Sequence, residues 1–294
     1  MGQRSQIYIR IDDGAENKVL IPLYFQWNYA DGMISRVQSV IESIHEIPTV
    51  SSLLWDIKQS DFIRRSAEIN FDRRSIADTH NIFEEYCFWG NGTKLNDFVF
   101  FAQDNNDGQA YIDVKFKGDK KTISYCFADY EGNFLGDAEA YMKFEYQGLT
   151  DSGFDWREYV KNSEYIEKDT IDIFEKNHTY LKDNADLMTE EDLKAFQNDD
   201  YSKAYKTNLV TTFAKKHWGY ENTQFIQAIG DILINKDIDF TLEELEELST
   251  KVKEEWHKEG NKGYPFHAII NDSSLIKDFV KEKTLEKETE YERF

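Results

Sequence analysis

Cysteine is almost missing from this chain. Only Cys87 and Cys126 occur in 294 residues, each among aromatic neighbours. That rules out a disulfide framework and suits buried thiols in a reducing compartment. No run of about 18 apolar residues exists either, so no membrane span is expected. The opening residues, MGQRSQIYIRIDDG, lack the apolar core and small-residue cleavage site of a signal peptide, and the expected location is the cytoplasm. Metal and phosphate motifs are missing as well. None of the six histidines pairs with His, Cys or Glu at ligand spacing, and no phosphate-cradling glycine loop or nucleophile elbow occurs. No cofactor and no metal are expected.

Positive charge is in short supply. Lysine and arginine total 35 against 56 acids, for a net charge of −21. Such a field repels nucleic acid, whose binding needs cations to displace phosphate counterions. It favours basic partners and speeds their encounter. Arg64, Arg65, Arg73 and Arg74 lie close in sequence and could form a local basic patch. Aromatic content is 15% and hydrophobic content 40%, a globular composition in which many aromatics sit beside acids.

The patterning divides the chain. Residues 5–11, SQIYIRI, alternate as a half-buried strand does, and 18–27 read as a second strand, placed at an edge or a bulge by Pro22. Asp31 opens a helix carrying Met33, Ile34, Val37, Ile41 and Ile44 at helical spacing, and Pro48 stops it. Helices are expected over 51–69 and 75–89. Strands over 97–103, 109–117 and 122–129 make a meander. Beyond Phe154 the pattern is helical. Thr189 with Asp192, and Thr241 with Glu244, stand at capping-box spacing. Leu242, Leu245, Leu248, Val252 and Trp256 form one apolar stripe, with Gly260 placed to end the helix. The expected class is α+β. A small antiparallel sheet with packed helices over 1–150 precedes an all-α region over 151–294, with the boundary at 147–155.

Two stretches invite chemistry. Residues 103–108, QDNNDG, resemble a calcium loop. With Gly108 at position six, however, positions one and twelve fall on Gln103 and Val114, and both anchoring carboxylates are missing. A tight turn closed by Gly108 suffices. Next, Asp113 and Lys115 stand two apart, on the same side of a strand. With Asp104 or Asp107 they copy the acid…Asp-x-Lys layout of metal-dependent nucleases. An acidic chain without a basic groove is poorly suited to DNA, and cross-strand ion pairing explains the same residues.

Three segments carry a resemblance: GQRSQIYIRI, YFQWNYADGMISR, and FAQDNNDGQAYIDV with YCFADYEGNFLGDAEAYM. Together they resemble a family of small uncharacterised proteins from phages and prophages of Gram-positive bacteria, over residues 1 to about 145. The resemblance transfers no catalytic residue. In size and charge the chain is also similar to phage proteins that block Gabija or CRISPR effectors. The resemblance implies a non-enzymatic, phage-encoded inhibitor of antiviral defence in the host cytoplasm. Its partner would be a host defence protein with a basic surface, covered by acids and aromatics standing where nucleic acid would lie. The alternatives are a metal-dependent nuclease using Asp113 and Lys115, or a phage structural or replication accessory protein. The contact residues expected are Glu243, Glu244, Glu246 and Glu247, whose plainer reading is a solvated helix face. Such a surface is also compatible with self-association into a homo-oligomer.

Overall fold

The structure is a computed structural model that describes residues 4–12, 14, 18–26, 28–46, 80–81, 107–118, 120–147, 155–203, 206, 210, 213–214, 223–262, 270 and 272–291. The expected strand over 97–103, the helix over 51–69, Cys87, the four clustered arginines and residues 103–106 lie outside them.

The α+β class holds. β1 (Arg4–Asp12) pairs antiparallel with β2 (Lys18–Gln26), and β4 (Gln109–Lys117) pairs antiparallel with β5 (Lys120–Ala128). The hairpins join through β1 and β4, which run parallel, so the sheet is mixed rather than wholly antiparallel. Short strands finish it. β3 (His80–Asn81) pairs with Leu23 and Tyr24 of β2; these two residues are strand rather than the helix expected over 75–89, whose other residues lie outside the described ones. Pairing with β2 overrides local propensity there. β6 (Phe134–Gly136) and β7 (Asp186–Leu187) both pair with β5, at different positions. The latter is a two-residue strand inside the stretch that reads as purely helical. Pro22, which lacks an N–H, lies next to the two paired positions of β2.

One face of this sheet is apolar. Ile7, Ile9 and Ile11 of β1 lie beside Ala110, Ile112 and Val114 of β4, flanked by Ile21 and Leu23 on one side and Tyr125 and Phe127 on the other. Onto it pack α1 (Asp31–Glu46), α2 (Ala138–Gln147), α3 (Trp156–Asn162) and α4 (Thr170–Asn184). The helix over 31–46 forms because Met33, Ile34, Val37, Val40, Ile41 and Ile44 make one buried stripe. Each fully buried side chain of this size contributes about 1.5–3 kcal/mol.

The boundary at 147–155 does not divide the cores. Trp156, Val160, Phe174 and Leu181 belong to the sheet's own hydrophobic cluster. Two compact units result, residues 1–201 and 202–294. The first also holds α5 (Glu190–Gln197), opened by the Thr189–Asp192 capping box.

Among its described residues the second unit is helical: α6 (Thr223–Asn235), α7 (Leu242–Lys258) and α8 (Ser274–Tyr291). Ile226, Ile229, Leu233, Leu245, Leu248, Val252 and Ile276 form its core. The expected stripe of α7 is present, although Leu242 and Trp256 are only partly buried. Gly260 follows the last turn as its pattern implies, donating its N–H to His257 O.

Gly230 of α6 marks a close approach. A Cβ built there lies 2.7 Å from Val210 Cγ1 and 3.1 Å from Cγ2, both on a stiff branched side chain. Overpacking of this kind costs about 1–3 kcal/mol, against roughly 1 kcal/mol of gained helix propensity. Gly230→Ala is therefore expected to lower the melting temperature of this unit. In the Val210→Ala background the same change should raise it.

Candidate functional site

The second face of the sheet is polar and still buried. β1 presents Gln6, Tyr8 and Arg10, and β4 presents Gln109, Tyr111 and Asp113 in register with them. All six are 5% exposed or less. β1 is therefore not the half-buried strand its alternation suggests, because α5 and the residues after it close over this side. Tyr8 and Tyr111 stack at 5.2 Å, and the Phe196 ring meets Tyr111 edge-on at 5.2 Å. Tyr8 OH donates to Gln6 Oε1, Tyr111 OH donates to Gln109 Oε1, and Gln197 Nε2 donates to Tyr111 OH. Burial pushes both phenols above their usual range.

The ladder ends in an ionic cluster. Arg10 makes a two-pronged contact with Asp113, Nε to Oδ1 at 2.8 Å and Nη2 to Oδ2 at 2.6 Å. Its Nη1 donates to Asp199 Oδ2 at 2.8 Å, and its guanidinium lies 4.5 Å from the Phe196 ring centre. Lys18 Nζ donates to both oxygens of Asp199, at 2.7 and 2.6 Å. Burial alone would lower the Arg10 guanidinium, but the hydrogen bonds it donates to Asp113 and the surrounding negative charge hold it above its ordinary value. Arg10, Lys18 and Lys115, the last 3.0 Å from Asp113, thus face the carboxylates of Asp113 and Asp199, and Asp192 is close enough to feel Arg10 and Lys115.

Asp113 and Lys115 lie on one side of β4 as their spacing implies, with Lys115 Nζ 3.0 Å from Asp113 Oδ2. Yet Asp113 is 2% exposed, and Arg10 occupies both of its oxygens. The geometry is that of a buried ion pair between β1 and β4, which Arg10 extends to Asp199 just beyond α5, and it leaves no coordination edge for magnesium. Among the described residues no three His, Cys, Asp or Glu side chains converge as metal ligands. Burial pushes the Cys126 thiol well above its usual range, which leaves it a poor nucleophile. At the other end of β4, Gly108 has φ +85°, and a Cβ there would lie 2.8 Å from Ala128 O, so this position requires glycine.

The four glutamates of α7 do not form one equivalent set. Glu243, Glu246 and Glu247 are exposed, with Glu247 3.9 Å from Lys251. Glu244 is committed elsewhere. Its Oε2 accepts the Thr241 N–H at 2.8 Å in the capping box, and its Oε1 lies 2.5 Å from Lys283 Nζ. That lysine holds the Glu244 carboxyl below its usual range. Of the four, Glu243, Glu246 and Glu247 therefore remain as an exposed triplet at the start of the helix, and Glu254 and Glu255 are exposed farther along it.

A further buried acid lies on α6. Asp231 sits between Gly230 and Ile232, with Oδ1 inaccessible to solvent and without a hydrogen-bond partner among the described residues. Burial pushes its carboxyl up to about 7. Sequence reasoning missed this residue, although an acid inside IQAIGDILI is a visible signal. It also missed Arg10, whose signal was the shared pattern of QIYIRI and QAYIDV, two strands whose alternate residues are polar but bulky. Asp199 and Tyr201, whose hydroxyl accepts from Arg10 Nη1 at 3.4 Å, carry no such local signal. Among the described residues no helix is long and apolar enough to cross a membrane. Comparison with protein-family models, curated proteins and solved structures finds no match for this chain.

Proposed function

We propose that this chain works by binding rather than by catalysis, as a phage-encoded inhibitor that covers a basic surface of a host antiviral defence protein. The observation that carries the reading is the triplet Glu243, Glu246 and Glu247. These are exposed carboxylates on a helix whose start is fixed by a capping box, in a chain of net charge −21. Three- and four-residue spacing on a helix keeps such side chains about 5–6 Å apart, so they act as one charged ridge. A basic nucleic-acid-binding groove is the surface that complements it. The phage setting rests on the resemblance of residues 1 to about 145. Asp113, sealed against Arg10, gives the nuclease alternative no geometric support.

The test is capture from a Gram-positive host lysate with the purified chain and with Glu243→Lys/Glu246→Lys/Glu247→Lys. Enrichment of a nucleic-acid-binding defence protein by the wild type, lost with the triple reversal, is the expected result. Recovery of capsid or replisome components instead would overturn the reading. With the captured protein in hand, the association rate should fall at least tenfold between low salt and 150 mM, where the Debye length is about 8 Å. The dissociation rate should change far less. Glu244 must stay out of this variant, because its reversal breaks the cap and the Lys283 contact and would confound binding with folding. Plasmid incubated with magnesium or manganese should remain intact. Cleavage that disappears in Asp113→Ala would instead favour the enzyme.

A further inference from the structure

At the end away from the ionic cluster, the buried polar ladder reaches the surface at the turn Asp129–Asn133 between β5 and β6. That turn is closed twice. From within, Asp129 Oδ1 accepts the N–H groups of Glu131 and Asn133, both at 2.9 Å, and Asp129 N donates to Asn133 O at 2.9 Å. From beneath, Gln197 Nε2 donates to Gly132 O at 2.8 Å and Gln109 Nε2 donates to Tyr130 O at 3.4 Å. These are the two amides already bonded to the Tyr111 hydroxyl. Gly132 has φ +84°, and a Cβ there would lie 3.0 Å from Gln197 Nε2, 3.5 Å from Gln109 Oε1 and 3.6 Å from Tyr111 OH. Turn and ladder are fitted to each other.

A surface turn has no need of this. Asp129 alone supplies the bonds that close it, whereas burying two glutamines and a tyrosine hydroxyl carries a desolvation cost. What a satisfied buried network adds is a single fixed geometry. The group so fixed is Tyr130, 50% exposed, its ring 6.3 Å from Phe144, with exposed Glu131 and Asn133 beside it. An aromatic held rigidly at the surface is the usual anchor of a binding interface, because little entropy is lost when a partner seats on it. Tyr165 differs: it is 98% exposed, and its backbone N–H donates to Ser163 Oγ at 3.2 Å.

We propose that the Asp129–Asn133 turn is a docking epitope for an arginine on a partner protein's surface. Tyr130 offers the ring face and Glu131 the carboxylate. Arginine is the matching cation because its planar guanidinium stacks on a ring while pairing with an acid, which a lysine ammonium does less well. The complementary field is that of a chain with net charge −21. This inference rests on the binding reading above and adds a contact in the first unit.

The test is an amide NMR titration of the full chain at 150 mM salt with a nona-arginine peptide, and with nona-lysine beside it. Saturable shifts of the Glu131, Gly132 and Asn133 amides are expected, tighter for arginine than for lysine. Tyr130→Ala should weaken that binding about fivefold. Tyr130→Phe should keep it, and Tyr165→Ala should change it less than twofold. Because Tyr130 is half exposed, the alanine variant is expected to fold as the wild type does. Arginine-induced shifts confined to the α7 glutamates would overturn the epitope while leaving the binding reading standing. A Tyr130→Ala variant that binds as the wild type does would overturn it as well. No saturable shift anywhere would count against both.

Discussion

Asp113→Ala is expected to remove about 3–5 kcal/mol from the stability of the first unit, the usual loss when one partner of a buried ion pair is deleted. Arg10 keeps its bond to Asp199 but is left with Nε and Nη2 facing a gap. Lys115 behaves differently. Its side chain is 54% exposed and can turn to water, so Lys115→Ala should cost less than about 1 kcal/mol. Arg10→Met/Asp113→Leu should recover most of the loss, since well-packed apolar residues often replace a buried pair at little cost. Urea unfolding at pH 7, followed by far-ultraviolet circular dichroism, measures all three. An Asp113→Ala transition coincident with the wild type would contradict the sealed geometry. So would a double variant less stable than Asp113→Ala.

The second large effect depends on pH. Asp231 has its carboxyl raised to about 7 by burial, against about 3.9 in an unfolded chain. Between those values the folded state binds the proton and the unfolded state has released it. Stability of the second unit therefore falls as pH rises from about 4 to 7, by up to ~4 kcal/mol at ~1.4 kcal/mol per unit. Above pH 7 the penalty is fully present. Asp231→Asn removes the titration, so it should stabilise this unit at pH 8 by roughly 2–4 kcal/mol and have little effect at pH 4. Thermal melts of both proteins across pH 4 to 8 give the comparison. Parallel curves would mean that Asp231 is ionised in the fold and paired.

What was legible in the sequence follows the range of the interaction. The capping boxes at Thr189 and Thr241 were readable because each joins residues three apart. The α1 stripe was readable because its period is local. The parallel pairing of β1 with β4 was not, since a hairpin signal lies in its turn and no turn joins residues a hundred apart. The boundary near 150 failed for a related reason. Trp156, Val160, Phe174 and Leu181 announce amphipathic helices, but periodicity does not say which surface those helices cover.

The candidate sites divide in the same way. That Asp113 and Lys115 share a side of a strand is a two-residue fact, and the structure agrees. That Arg10 seals Asp113 is a contact over 103 residues, with no local trace. Glu244 teaches a narrower lesson. The pattern that marks it as the cap partner of Thr241 already commits its carboxylate, so it is not an equal member of the exposed set.

The parallel joint between the two hairpins also sets an order of events during synthesis. At about 5–20 residues per second, roughly 5–20 seconds separate the emergence of Asp12 from that of Lys115, its register partner. Until then the β1–β2 hairpin has Ile7, Ile9 and Ile11 without their neighbours on β4, and its inner edge is an open row of peptide groups. Slow translation through the intervening residues lengthens that exposure, and fast translation shortens it. The yield of folded protein should therefore depend on codon choice over residues 13 to 108 more than on codons after 128.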